Sequence, residues 1–232
     1  MEVAFLEKFV ILVVGRGKLA EELLQGLSSP SISCVLRWSE RSSQTESRHI
    51  VVHAGSGREL GEVMDFCAAT GSVLLDLSTG EPQRPTTTEF PVVICPNVNM
   101  QMLYFMALVK RAAKYFAGQN IAICESHQAS KTSKPGTAIY LAKALGVPET
   151  EIRSERDPQV QEGVLGIPSA ALDRHAYHEI LIRSPEVEIR LETRVLGKTA
   201  YATGLAKVID RVAKSRLVPG YYDIVDLVID DV

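Results

Sequence analysis

Apolar and polar positions fall into two regimes along this chain. In the first hundred residues, short unbroken apolar runs alternate with stretches of helical spacing. FVILVV (9–14) is such a run, and ISCVLR (32–37), HIVVH (49–53), SVLLD (72–76) and PVVIC (91–95) are apolar stretches with polar residues in or beside them; each of the five predicts a strand. Unbroken β-branched runs are what strands covered on both faces of a parallel sheet require. Residues 21–27 and 58–70 have helical spacing, the second closed by Gly71. The order β-α-β-β-α-β-β predicts a doubly wound α/β sheet. Residues 81–90, with Pro82, Pro85 and three threonines, read as a surface connection.

The second half is patterned differently. Residues 100–116 form a long helical stretch with Leu103, Met106, Ala107 and Lys110 at helical spacing, ended by Gly118. IAIC (121–124) predicts a strand and 138–145 a helix. Residues 177–183 and 186–194 predict antiparallel strands around Ser184 and Pro185. The second of them alternates charged and apolar residues, so one face should be packed and the other wet. A last helix is expected over 200–217, returning to the first domain.

Composition narrows the class. The chain has 232 residues, room for one large domain or two modest ones. It is 46% hydrophobic and 23% charged, with net charge −3, which fits a soluble globular protein and lacks the basic excess of a nucleic-acid binder. No apolar run approaches a membrane span, and the N-terminus is acidic where a secretory signal would be basic. Cys34, Cys67, Cys95 and Cys124 have no metal-ligand spacing, and each lies in or beside an apolar stretch. They read as buried reduced thiols, and so point to a reducing cytoplasm.

Candidate chemistry begins where the first strand ends. GRGKLA (15–20) sets Gly15, Gly17 and Ala20 in a G-x-G-x-x-G/A pattern between strand and helix. The first glycine permits the tight turn, the second lets a pyrophosphate approach the backbone, and the small third residue lets helix and strand pack. Gly15, Gly17, Lys18 and Leu19 are therefore candidate contacts of a nicotinamide dinucleotide. The second strand ends in Arg37, Trp38 and Ser39, with Arg41 close by, where an NAD-specific site usually carries an acid. A guanidinium at Arg37 and a hydroxyl at Ser39 suit a 2′-phosphate and favour NADP over NAD. A solvated loop arginine is the alternative. Trp38 either stacks on an adenine or packs locally. Small turns at 54–57, 77–80 and 96–99 end the next strands on the ligand side of such a sheet. Ala54, Gly55, Ser78, Thr79, Pro96 and Asn97 are thus candidate contacts toward the nicotinamide. His53 reads as a strand-end residue rather than a catalyst.

The densest polar stretch is ESHQASKTSKPGTA (125–138), between a strand and a helix. It reads as a loop holding Glu125, His127, Lys131 and Lys134. Gly136 and Thr137 stand where the helix begins and free N–H groups favour an anion. A histidine can deliver a proton near neutral pH, and a nearby lysine can stabilise developing negative charge. Beside an anion cradle, that pair suits a reaction on a carboxylate-bearing substrate. An ordinary loop histidine is the alternative. His175 and His178 lack a third metal ligand and read as surface or strand residues.

Asn97, the pattern Glu125-x-His127-x-x-x-Lys131 and the P-G-T-A of 135–138 resemble dihydrodipicolinate reductase of the lysine and diaminopimelate pathway, whose segment reads E-x-H-H-x-x-K-x-D-A-P-S-G-T-A. The resemblance spans the chain. The turn at 15–20 falls on the family's glycine-rich turn, 77–80 on its G-T-T-G, 96–99 on its A-P-N-F-S, and PGYYDIVD (219–226) on its closing P-G-L-Y-D-M-x-D-V. It implies a Rossmann-type dinucleotide-binding domain at 1–98 and 200–232. It further implies an α+β substrate and oligomerisation domain with an open mixed sheet at 99–199, hinges near Asn99 and Gly197, and a homotetramer or homodimer. The implied reaction is reduction of 4-hydroxy-tetrahydrodipicolinate, a cyclic imine dicarboxylate, by NADPH or NADH. His127 would be the general acid, Lys131 would assist it or bind a carboxylate, and Gly136 and Thr137 would hold a carboxylate.

The departures lie around the substrate. The family's paired histidines become His127 and Gln128. D-A-P-S-G-T-A becomes S-K-P-G-T-A, one residue shorter, with Lys134 as a substitute anion contact. In the family's G-x-I-G-F-x-x-x-R, Gly163 and Gly166 are kept but the arginine position falls on Ala171; a second family arginine falls on Lys198. The expected substrate contacts are therefore Gln128, Lys134, Gly136, Thr137 and Lys198. Two rival readings stay open: a reductase of a related cyclic imine, and a nucleotide-binding sensor without turnover. Keeping His127 and Lys131 in one segment speaks against the sensor.

Overall fold

The computed structural model describes residues 8–41, 48–78, 84–132, 135–197 and 199–229. Two compact units emerge, Met1–Leu103 with Tyr201–Val232, and Tyr104–Ala200. The chain opens with β1 (Phe9–Val14), α1 (Lys18–Gly26), β2 (Ile32–Arg37), β3 (His49–His53), α2 (Leu60–Thr70), β4 (Val73–Asp76) and β5 (Pro91–Ile94). It continues through α3 (Met100–Ala112), β6 (Asn120–His127), α4 (Gly136–Leu145), β7 (Arg153–Glu155), α5 (Pro158–Gly163), β8 (His175–Arg183) and β9 (Glu188–Leu196). The last elements are α6 (Ala200–Lys214), β10 (Gly220–Asp223) and α7 (Ile224–Ile229). No helix among the described residues is long and apolar enough to cross a membrane.

The first unit is a six-stranded sheet in the order β10-β5-β4-β3-β1-β2, parallel throughout. This is the doubly wound α/β arrangement expected. The apolar runs behave as covered strands: Ile11 to Val14, Ile50 to Val52, and Leu74 with Leu75 are buried. β2 departs from that pattern because it is the edge strand, and Cys34 on it is exposed rather than buried. Cys67 and Cys95 are buried, and burial pushes the Cys67 thiol up to about 12. Cys124 is half-buried, and burial raises it to about 11.

Helix α6 is docked by two sequence-distant devices. The buried Glu22 carboxylate of α1 accepts from the Tyr201 and Ala202 N–H groups at 2.8 and 2.9 Å, which satisfies two donors of the helix's first turn. Gly204 lies against the segment after β5, so close that a Cβ there would stand 2.0 Å from the Val98 carbonyl oxygen. The helix ends at Lys214, short of the expected 217, and the chain then adds β10 beside β5, a strand its short GYYD pattern did not announce.

The second unit holds a mixed four-stranded sheet, β7-β6-β8-β9, in which β7 runs parallel to β6 and the other pairs are antiparallel. Strand β6 does not stop at Cys124 as its apolar run predicts. It pairs with β8 through His127, so Glu125 and His127 are strand residues, not loop residues. Polar side chains can occupy that stretch because each finds a partner, as described below. The expected packed face of β9 is also incomplete: Val187 beside it is 57% exposed and Ile189 37%, while Leu191 and Val195 are half-buried. Among the described residues β9 pairs only with β8, and its apolar side is only partly covered.

Candidate active site

In the first unit the glycine turn is built for a close approach. Gly15 has φ +126°, and a Cβ there would lie 2.8 Å from the Ala54 carbonyl oxygen. Ala54 N–H in turn donates to the Val14 carbonyl at 2.8 Å, so the ends of β1 and β3 are locked side by side. Gly17 is the N-cap of α1, makes no side-chain cap bond, and has open space where its Cβ would be. The N–H groups of Lys18 and Leu19 begin the helix there. A pyrophosphate fits this turn on those grounds, since an anion is favoured at a helix start and no described atom lies within 4 Å of the Gly17 Cβ position.

The neighbouring candidates are less uniform. Gly55 is flanked by His53 Nε2 and Glu59 Oε2, each 3.1 Å from its Cβ position. His53 is a buried strand-end residue, as expected, with Nδ1 3.2 Å from Asp76 Oδ1. Asp76 also accepts from Ser78 N–H at 2.9 Å and from Arg84. Burial alone would raise the Asp76 carboxyl, but bonds from His53, Ser78 and Arg84 outweigh it and hold it at about 2. Ser78 Oγ is buried without a hydrogen-bond partner among the described residues, an opening for a polar ligand group. Asn97 is buried, and its side chain accepts from Asn99 N–H at 2.8 Å, shaping the turn that begins at Pro96. Thr79 lies outside the described residues.

Arg37 sits at the end of β2, but its guanidinium is already engaged. It donates twice to Glu21 of α1, at 2.8 and 3.0 Å, and the pair is exposed. Ser39 is exposed beside it. Arg41 pairs with Glu62 and lies 4.1 Å over the Trp38 ring, whose edge packs on Phe66 at 5.2 Å between centroids. Of the two readings of Trp38, local packing accounts for these contacts.

In the second unit, the polar end of β6 forms a compact charged cluster. Glu125 and His127, two apart on a strand, project to the same face. His127 Nδ1 lies 2.6 Å from Glu125 Oε2, and Arg156 donates to Glu125 Oε1 at 2.6 Å. The Glu125 side chain is fully buried, whereas that of His127 keeps 16% of its surface. Burial would raise Glu125, but hydrogen bonds from His127, Arg156 and Ser154 hold it at about 2. Burial draws His127 below its ordinary value, and Glu125 pulls partly the other way. Lys131, on the turn after the strand, is also lowered by burial, with Glu125 opposing and Arg156 reinforcing. His178, directly across from Glu125 on β8, stands edge-on to His127 at 5.9 Å; burial holds it neutral, at about 3. On the opposite side of the strand, Ser126 bonds to His175 at 2.9 Å.

Gln128 closes the strand, and its carbonyl accepts from Lys131 N–H at 2.9 Å, which turns the chain toward α4. Gly136 and Thr137 are the first residues of α4; Pro135 precedes them as the N-cap and makes no side-chain cap bond. Ala171 is half-buried against Leu165, Ile167 and Tyr177, with no charge to offer. Lys134 and Lys198 lie outside the described residues.

Arg156 and Gln161 are contributors that pattern reading missed. Arg156 follows β7, a three-residue polar strand, and Gln161 is fully buried on α5, donating to the His127 carbonyl at 2.8 Å. The sequence points to Glu125, His127 and Lys131 as members of one polar loop, and nothing in its pattern points to Arg156 or Gln161. Among the described residues no group of three or more His, Cys, Asp or Glu is arranged to hold a metal ion.

Residues 102–228, more than half of the chain, match the family model described as dihydrodipicolinate reductase, C-terminus. The probable 4-hydroxy-tetrahydrodipicolinate reductase 1, chloroplastic, of Oryza sativa subsp. japonica is 33% identical over 153 residues, covering 58% of this chain and 43% of that protein. The 4-hydroxy-tetrahydrodipicolinate reductase 2, chloroplastic, of Arabidopsis thaliana gives the same identity and coverage. The match thus spans under half the length of either plant protein, and their compartment is not the cytoplasm expected from the cysteines. A dipicolinate-bound dihydrodipicolinate reductase from Paenisporosarcina sp. TG-14 shares the fold, with TM-score 0.61 over 93% of this chain and 97% of that one, at 14% identity. The chain belongs to the dihydrodipicolinate reductase family.

Proposed function

We propose that the chain is an NAD(P)H-dependent reductase of 4-hydroxy-tetrahydrodipicolinate, serving lysine and diaminopimelate biosynthesis. The observation that carries this reading is His127, partly exposed and gripped by the buried Glu125, inside the segment that matches the family. In this reading Gly15, Gly17 and the first N–H groups of α1 hold the pyrophosphate, and Ala54, Gly55, Ser78, Thr79, Pro96 and Asn97 lie toward the nicotinamide. When bound, the reduced nicotinamide supplies hydride. His127 supplies the proton, and Lys131 stabilises the negative charge that hydride addition leaves. Gln128, the N–H groups of Gly136 and Thr137, and the lysines 134 and 198 bind the two carboxylates.

The test is fluorescence titration with NADPH and NADH, then steady-state turnover of the imine dicarboxylate against cyclic imines lacking one carboxylate. Binding of a nucleotide and preferential turnover of the dicarboxylate are expected. Absence of binding for both nucleotides would sink the proposal, and preference for another imine would move it to a related substrate.

Cofactor choice turns on Glu21. Its carboxylate neutralises Arg37 and would repel a 2′-phosphate placed there, although an exposed pair is weak and easily displaced. Glu21→Gln frees the guanidinium, so the ratio of NADPH to NADH affinity should rise roughly two- to fivefold, the scale of one exposed charge pair. An unchanged ratio would place the 2′ group elsewhere.

A further inference from the structure

We infer that Glu125, held in place by Arg156, decides which nitrogen of His127 carries the proton in the neutral ring, and so makes Nε2 the atom that protonates the substrate. The chemistry rests on the proposed reductase reading; the geometry does not. Glu125 is buried, and its two oxygens have separate partners. Oε1 accepts from Arg156 Nη2 and Oε2 faces His127 Nδ1, both at 2.6 Å. An ionised carboxylate only accepts hydrogen bonds, so at 2.6 Å the proton must be on Nδ1. A neutral imidazole has one N–H, which leaves Nε2 bare.

That assignment sets the order of proton movements. A second proton enters the ring from solvent at Nε2 and forms an imidazolium, whose charge Glu125 offsets. In the reaction the Nε2–H bond breaks, the hydrogen bonds to the substrate atom made electron-rich by hydride addition, and the N–H electron pair stays on Nε2. The ring returns to its Nδ1–H form without rearrangement. The other groups facing His127 fit the scheme. Lys131 and Arg156 are cations that make the imidazolium a stronger acid, and His178 is a neutral neighbour. Gln161 fixes the His127 carbonyl at 2.8 Å, which steadies the backbone beneath the ring. Arg156 is held in turn by the Glu155 carbonyl at 2.8 Å. It is a positioning residue, as is Glu125.

Glu125→Gln distinguishes this arrangement from simple packing. Arg156 can accept nothing, so it claims the amide oxygen and leaves the NH2 facing Nδ1. The ring must then accept at Nδ1 and carry its proton on Nε2, a neutral tautomer that is a poor acid. Loss of the tautomer should cost up to the general acid's whole contribution, about 10²–10⁴-fold in kcat. Adding Arg156→Met frees the amide oxygen to turn toward Nδ1. The double variant should therefore regain about tenfold over Glu125→Gln alone, a coupling of the size seen between contacting residues. A merely structural role predicts that the second substitution leaves activity the same or lower.

The deciding measurement is ¹⁵N NMR of the histidine rings above the His127 titration, alongside kcat for each variant. Wild type should show Nδ1–H with bare Nε2, Glu125→Gln the reverse, and the double variant the wild-type pattern. A wild-type ring with its proton on Nε2 overturns the inference even if no variant folds, as does a double variant without recovery of tautomer and rate. A wild-type Nδ1–H ring in a protein that does not reduce the imine would support this assignment and refute the reductase.

Discussion

His127→Ala is expected to lower kcat by about 10²–10⁴-fold, the usual contribution of a positioned general acid, with little change in the affinity for NADPH. The ring is the one partly exposed member of the Glu125 pair, so it can reach a substrate while Glu125 cannot. Stability should suffer only modestly, by about 1 kcal/mol, the net worth of a typical hydrogen bond. Glu125 keeps Arg156 and Ser154 as donors and is not left as an unpaired buried charge. Steady-state kinetics together with thermal denaturation separate these effects. A variant within threefold of wild-type kcat would show that the proton comes from elsewhere, with Lys131 the next group to replace. The pH dependence adds a second readout. Burial draws the His127 imidazolium below its ordinary value. The rate that depends on its proton should accordingly be present at low pH and lost as pH rises through that lowered value.

Much of this cluster was hidden in the sequence for a physical reason. Parallel strands β1, β3 and β4 are covered on both faces, so their runs of Val, Ile and Leu announce them residue by residue. The end of β6 has the opposite problem. Glu125, Ser126 and His127 look like loop residues because the partners that let them enter a sheet, Arg156, His175 and His178, come from elements remote in sequence. Strand β7 is three polar residues long, too short for any periodicity, yet it brings Arg156 to Glu125. A similar gap explains Cys34. It lies in a partly apolar stretch and reads as a buried thiol, but no pattern within ISCVLR says that β2 will be the edge. The chemistry-bearing types were legible as an E-x-H motif with a following lysine. Their ordering into Arg156, Glu125 and His127 required the tertiary pairing.

Gly204→Ala should be the most damaging single-methyl substitution in the first unit. A Cβ at this position would stand 2.0 Å from the Val98 carbonyl oxygen and 2.9 Å from Val98 C and Asn99 Cα. Those are backbone atoms, so no rotamer change relieves the clash; either α6 moves off the sheet or the Pro96–Asn99 turn moves with it. Overpacking that forces backbone shifts typically costs about 1–3 kcal/mol and occasionally more, and here the upper end is expected. At about 2–4 °C per kcal/mol for a chain of this size, Tm should fall by roughly 10 °C. Gly61→Ala is the matched control. Nothing lies within 4 Å of its Cβ position in α2, and replacing a helical glycine by alanine there should stabilise by about 0.5–1 kcal/mol. The two substitutions add the same methyl group and should shift Tm in opposite directions. The consequence for the site follows from Asn97 and Asn99, whose side chains bond to the Asn99 and Met102 N–H groups at 2.8 and 3.1 Å and so depend on the displaced backbone. NADPH affinity should fall with Tm in Gly204→Ala and stay unchanged in Gly61→Ala. If Gly204→Ala melted at the wild-type temperature, the close docking of α6 on the strand end would be wrong, and with it the account of how that turn is held in place for a cofactor.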